Sequence, residues 1–232
     1  MSIIIPVLNG QAQVDATLAA VTSHFAGGAP YEVIVVDDGS RDHTPSLVEA
    51  WTRRVPEVRM VRLPKNQGKG AAVRAGMQAA SGDQRCFFDA DLPMPVGELD
   101  AVLARLDQGA DVVIASRALP GSHVVVQPGW VRRWLSEWFS IVVRGLFRMP
   151  YRDTQCGLKG FSRRASGELF SRSRLDGFAF DVELLLLARR LGYWVEEVPV
   201  RVENSAPSTV RILTHAPRIA RDLWRLAREF HD

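Results

Sequence analysis

Over the first half of the chain, short apolar runs alternate with longer amphipathic stretches. Runs of strand length occur at Ile3–Val7, Val33–Val36, Val58–Leu63, Cys86–Phe88 and Val112–Ala115. Helix-like spacing fills 12–25, 44–54, 69–80 and 96–107 between them. Near-continuous apolar strands are those buried on both faces, so this βαβα rhythm predicts an α/β fold: a Rossmann-like, mostly parallel sheet with helices on both faces. Ligands of such sheets bind beyond the carboxyl ends of the strands, where the strand order reverses. The residues that follow each strand therefore carry the candidate chemistry.

After Arg117 the rhythm breaks. A loop with Pro120, Gly121, Pro128 and Gly129 leads into an aromatic, basic segment over 130–148. The pattern then predicts a short strand (157–162), an apolar helix (about 180–191), a strand (193–202) and a terminal helix from about 210 to 230. No internal repeat or linker interrupts it. We expect a single domain over 1–232, with a first half at 1–116 and an appended half at 117–232.

Composition narrows the class. The chain has 232 residues, 47% hydrophobic and 24% charged, which suits a folded chain with its own core and excludes a disordered one. No uncharged apolar run approaches the roughly 18 residues of a spanning helix, and the Met1-Ser2-Ile3-Ile4-Ile5-Pro6 start lacks the basic region of a signal peptide. A cytoplasmic location is the expectation. The net charge of +3 is unevenly spread: residues 1–116 carry 10 Lys/Arg against 14 Asp/Glu, whereas 117–174 carry 11 against only Glu137, Asp153 and Glu168. A basic region suits an anionic membrane surface or phosphorylated ligands; with no nucleic-acid module in the pattern, nucleic acid is not an expected partner. Cys86 and Cys156 have no CxxC companion and read as core residues.

Three strand ends stand out. Asp37-Asp38-Gly39-Ser40 suits either recognition of a ribose or base edge, or a plain Asp-Gly turn. Asn66-Gln67-Gly68-Lys69-Gly70 opens a helix, where glycines let backbone approach a phosphate and the helix N-terminus favours anions. It is not a P-loop, lacking GxxxxGK[ST]. Asp89 and Asp91, at i and i+2, would share a face if extended and could hold a hard divalent cation that bridges to phosphates.

Taken in order, Pro6-Val7-Leu8-Asn9, Asp37-Asp38-Gly39-Ser40, Asn66-x-Gly68-x-Gly70 and Asp89-x-Asp91 resemble glycosyltransferase family 2, of the GT-A fold. Ala115-Ser116-Arg117 and Arg152-Asp153-Thr154-Gln155-Cys156-Gly157-Leu158-Lys159 are similar to the polyprenyl-phosphate sugar synthases, and the Asp-Thr-Gln-Cys-Gly string resembles that of dolichyl-phosphate β-glucosyltransferases. The resemblance implies an inverting, metal-dependent transfer of sugar, most readily glucose from UDP-glucose, to a polyprenyl phosphate. Pro6, Asn9, Asp37 and Asp38 would line the nucleotide pocket with Lys69 nearby. Asp89 and Asp91 would meet the diphosphate through Mg²⁺ or Mn²⁺. Arg117, Arg132 and Arg133 would hold the lipid phosphate, with Asp153 close to the reacting sugar and Asp91, Asp153 and Arg117 as catalytic residues. The chain departs from the family where Leu8 and Gly10 replace a Tyr and a Glu. It also reads Ser208-Thr209-Val210-Arg211 where relatives carry a Ser-Lys pair, so Arg211 is the expected substitute cation.

Trp130, Trp134 and Trp138 recur at i, i+4, i+8 beside Arg132, Arg133, Arg144 and Arg148. This pattern fits an amphipathic helix at a membrane interface, or one docked on the sheet. The terminal segment spaces Ile212, Ala216, Ile219, Leu223, Leu226 and Phe230 by alternating fours and threes, with arginines on another face. These two amphipathic helices make a peripheral enzyme on the cytoplasmic face of the membrane the expectation. Alternatives are a family 2 enzyme using a soluble or polymer hydroxyl, a nucleotidyltransferase, and a lipid-surface adaptor without activity. The sequence leaves oligomeric state open.

Overall fold

Ser2–Val7 (β1), Glu32–Asp37 (β2) and Val58–Arg62 (β3) form the first strands, and Gln84–Phe88 (β4) returns to the other side of β1. β1 is thus flanked in parallel by β2 and β4, and the strand order reverses there. The sheet is completed by Val112–Ser116 (β5), Leu158–Ser162 (β7) and Val195–Pro199 (β8), in the order β3-β2-β1-β4-β7-β5-β8. The computed structural model describes residues 1–91, 94–125, 130–203 and 212–230, with side chains except those of 130–138 and 212–216.

Strand side chains alternate between two cores. Ile3, Ile5, Val33 and Val35 pack with Val14–Phe25 (α1), Thr44–Arg54 (α2) and Glu98–Asp107 (α4). Ile4, Ile34 and Val36 face Lys69–Ala79 (α3), Arg163–Arg172 (α6) and Phe180–Arg190 (α7). Val143 and Phe147 of Trp130–Phe147 (α5), and Leu223 and Leu226 of Ile212–Phe230 (α8), join this second core. Among the described residues no helix is long and apolar enough to cross a membrane.

The expected strand at 157–162 exists, but it runs antiparallel between β4 and β5. Helix α6 follows it at once, capped by Ser162 Oγ accepting from Ala165 N at 3.2 Å; periodicity did not reveal it. The strand expected over 193–202 is interrupted. Pro199 brings no N–H to the ladder, and Arg201–Val202 (β9) pairs instead with His123–Val124 (β6). Cys86 and Cys156 are both free and buried, as core cysteines.

Glu32 ties three segments at the amino ends of β1 and β4. Its carboxylate accepts from Ser2 Oγ at 2.6 Å, from Ser81 N and Oγ at 2.7 Å, and from Arg59. Burial alone would raise its pKa, but these donors outweigh it and bring it down to about 2, from 4.5. A depressed carboxylate stabilises the fold above its unfolded pKa and loses that contribution as pH falls through the folded value. Because its bonds to Ser81 and Arg59 are open to solvent, which screens them, we expect Glu32 to contribute about 1–2 kcal/mol at pH 7, lost between pH 4.5 and 2. In urea titrations, Glu32→Gln should flatten the pH dependence in that window; an unchanged slope would contradict this.

Candidate active site

The loops after β1, β2 and β3 enclose a cleft of about 720 Å³ lined by Leu8, Asn9, Ser40, Arg62, Lys65 and Asn66, among others. Its shape depends on the polar residues predicted from sequence. Asn9 adopts φ 51°, a conformation Asn tolerates; its Oδ1 accepts from Arg41 N at 2.9 Å and its N–H donates to Ser40 Oγ at 2.8 Å. Asp37 is fully buried and accepts from Ser40 N at 2.9 Å. Its Oδ2 lies 3.2 Å from Arg62 Nε without hydrogen-bond geometry. Asp38 accepts from Gln67 N at 2.7 Å and Gly68 N at 2.9 Å. Burial nevertheless raises its pKa, and Asp37 and Asp176 add to the effect. The Asp-Asp pair is buried and braces the loops around the cleft from behind, rather than lining the pocket as the resemblance implies. Pro6, inside β1, lies opposite Val36 of β2 in the sheet.

The expected phosphate cradle at the start of α3 is taken up by protein. Gly70 N and Ala71 N donate to Asp176 O at 2.8 and 3.4 Å, while Gln67 and Gly68 amides are held by Asp38. A Cβ on Gly68 would lie 2.4 Å from Asp176 O, and one on Gly70 would lie 2.5 Å from Leu175 O. The glycines admit the 175–180 segment, not a ligand. Glu183 holds that segment by accepting from Ser173 Oγ, Arg174 N and Leu175 N.

Lys69 turns instead to Asp89, its Nζ 2.6 Å from Oδ1. Burial would lower the pKa of this ammonium, but Asp89, Asp181 and Asp91 outweigh it and raise it. Strand β4 ends at Phe88, and Ala90 and Asp91 lie in a turn, so Asp89 and Asp91 are not presented by extended backbone as expected. Thr17 of α1 anchors that turn, donating to Ala90 O at 2.6 Å. Asp89 N donates to Gly157 O at 3.1 Å, and the carboxylate lies so close to Gly157 that a Cβ there would sit 1.9 Å from Oδ2. Asp91 is exposed. Among the described residues no three His, Cys, Asp or Glu cluster as a metal site. Two carboxylates suit Mg²⁺ or Mn²⁺, which take the rest of their oxygen ligands from phosphates and water.

Behind Asp89 lies a pair that sequence reasoning missed. Lys159 of β7 is fully buried, and its Nζ donates to Asp181 Oδ1 at 2.5 Å and Cys156 O at 2.8 Å. Burial raises the pKa of Asp181, with Lys159 and Lys69 opposing. The available signal was a lysine inside the otherwise apolar Gly157–Phe161 run. Two other predicted residues meet each other. Arg117 donates from Nε and Nη2 to Asp153 at 2.6 and 2.9 Å, and Arg117 N adds a third bond at 3.1 Å. Burial would raise the Asp153 pKa, but Arg117 prevails and lowers it, so Asp153 is ionised. Side chains of Arg132 and Arg133 on α5, and Arg211, lie outside the described residues.

The glycosyl transferase family 2 model matches residues 2–170. Dolichyl-phosphate β-glucosyltransferase from Drosophila melanogaster is 35% identical over 97% of this chain and 74% of its own length. Its counterpart from Dictyostelium discoideum is 30% identical over 97% of this chain and 73% of that protein. In structure, glucosyl-3-phosphoglycerate synthase from Mycobacterium tuberculosis, solved with Mn²⁺, UDP and phosphoglyceric acid, superposes with a TM-score of 0.72 at 22% identity, covering 95% of this chain and 74% of that one. That likeness carries the GT-A architecture, and the sequence matches carry the activity class. This chain belongs to glycosyltransferase family 2.

Proposed function

We propose that the protein transfers glucose from UDP-glucose to a polyprenyl phosphate at a membrane surface. The observation that carries the reading is the position of Asp89 and Asp91 where the strand order reverses, at the sheet end that also holds the 720 Å³ cleft. The names of the relatives supply the acceptor class, and the UDP and Mn²⁺ of the M. tuberculosis structure support the donor and cation. A divalent cation held by Asp89 and Asp91 would supply positive charge to the departing diphosphate.

The acceptor oxygen attacks the anomeric carbon as the bond to UDP breaks, inverting that centre. A phosphate oxygen is already ionised near neutral pH, so a general base is not required. Asp153, held ionised by Arg117, is an orienting residue: it fixes a guanidinium whose Nη1 makes no hydrogen bond among the described residues and whose side chain is 39% exposed. That nitrogen is available to an acceptor phosphate. Exposed Ile141, Val142 and Trp224, with the Arg228 guanidinium 4.9 Å from the Trp224 ring, support a face seated among lipid headgroups.

The test is a screen of UDP- and GDP-sugars with polyprenyl phosphate in detergent, with and without Mn²⁺. UDP-glucose with Mn²⁺ is the expected productive pair, and Asp91→Ala should reduce transfer by roughly 100-fold or more. Near-normal transfer by Asp91→Ala at saturating metal would overturn the reading.

A further inference from the structure

The Asp89 carboxylate is engaged on both sides. Oδ2 lies against Gly157, where a Cβ would come within 1.9 Å of it. Oδ1 lies 2.6 Å from the ammonium of Lys69. Mg²⁺ binds oxygen ligands at about 2.0–2.1 Å. It would enter the space that the ammonium fills, and two cations on one oxygen repel strongly in a partly desolvated pocket. The Lys69 side chain is only 20% exposed, so water screens that repulsion weakly. The second carboxylate facing Lys69, Asp181, is already bonded to Lys159, so it offers the displaced ammonium a crowded refuge.

We propose that Lys69 is a resident counter-ion that competes with the divalent cation for Asp89, so that metal enters tightly only together with the nucleotide diphosphate. The diphosphate changes the balance in two ways: its oxygens complete the metal's ligand set, and its negative charge receives the Lys69 ammonium that the metal displaces. This coupling rests on the donor reading above. It gives Lys69 a different role from a simple phosphate anchor, and the two roles predict opposite results. An anchor lost lowers affinity for the loaded nucleotide and leaves metal binding alone unchanged. A competitor lost raises affinity for metal in the absence of nucleotide.

The test measures Mn²⁺ binding to the full chain by loss of the free-ion electron paramagnetic resonance signal, without nucleotide and with saturating UDP. Without nucleotide, Lys69→Met and Lys69→Gln should bind Mn²⁺ about tenfold more tightly than wild type, and Lys69→Arg, which keeps the charge, should stay near wild type. Asp89→Asn should remove the gain in either variant. Wild type should gain affinity on adding UDP, and Lys69→Met should gain less. Folded Lys69→Met or Lys69→Gln with unchanged or weaker metal affinity overturns the inference. A measurement on wild type stands independently of how the variants fold. The chain has three lysines, Lys65, Lys69 and Lys159, so the Lys69 ammonium resonance is assignable by substituting Lys65. It should move on saturation with Mg²⁺ and UDP, and a resonance that stays in place overturns the inference. If UDP fails to raise Mn²⁺ affinity in wild type while Lys69→Met still binds more tightly, the competition stands and the donor reading falls.

Discussion

Lys159→Met should destabilise the protein by about 3–5 kcal/mol, which for a chain of this size lowers Tm by roughly 10 °C. The expectation follows from what the substitution leaves behind. Methionine suits a fully buried position whose present side chain ends 5.3 Å from the centroid of the Phe87 ring. Asp181, only 3% exposed, would lose the ammonium that bonds it at 2.5 Å, and Cys156 O would lose its 2.8 Å donor. A buried carboxylate without a partner either stays charged at high cost or takes up a proton. Removing both charges avoids that cost, so Lys159→Met/Asp181→Leu should recover most of the lost stability. Urea unfolding of the four proteins of this double-mutant cycle provides the measurement. A single Lys159→Met within about 1 kcal/mol of wild type would show that the pair does not act as described and that Lys69, the other cation near Asp181, compensates although it is paired with Asp89.

The same lysine illustrates what the sequence could and could not reveal. Strands β1 to β5 were readable because parallel strands buried on both faces are apolar throughout, and Ile3–Val7 and Val33–Val36 needed no partner to be recognised. Asp89 and Asp91 stood out because two acidic residues directly follow an apolar strand, a pattern that fits either a cation site or a solvated acidic turn. Lys159 was not, because its meaning depends on Asp181, which lies 22 residues later and on another element. The start of α3 failed in a similar way. Gly68 and Gly70 correctly signalled a close backbone approach, but the approaching group was Asp176 O, more than 100 residues away in the chain, and not a phosphate. Arg117 and Asp153 were each singled out, yet only the fold brings them within 2.6 Å of one another. Local spacing identifies which residues are unusual; the crossing of the chain through β7 decides what they touch.

Gly157→Ala should lower glycosyl transfer by about 100-fold while leaving the protein folded. No positive φ is needed at this position, so alanine can adopt the backbone. The obstacle is the side chain of Asp89: the new Cβ would stand 1.9 Å from Oδ2 and 2.4 Å from Cγ. The Asp89 backbone is tied to Gly157 O at 3.1 Å and continues the ladder of β4 and β7, so the carboxylate must rotate or move by about 1 Å. A displacement of that size at a reacting centre costs on the order of 100-fold in rate, whereas crowding in a partly exposed site costs about 1–3 kcal/mol of stability. Kinetics and thermal melts on the same samples separate the two effects. The variant Gly157→Ala/Asp89→Ala removes both the crowding and the carboxylate, so it should melt near wild type and remain inactive. That pairing identifies Asp89 as the group the glycine accommodates. Transfer by Gly157→Ala within about threefold of wild type would mean that the Asp89 carboxylate has room to turn without consequence, and the placement of Asp89 against Gly157 would then have no part in catalysis.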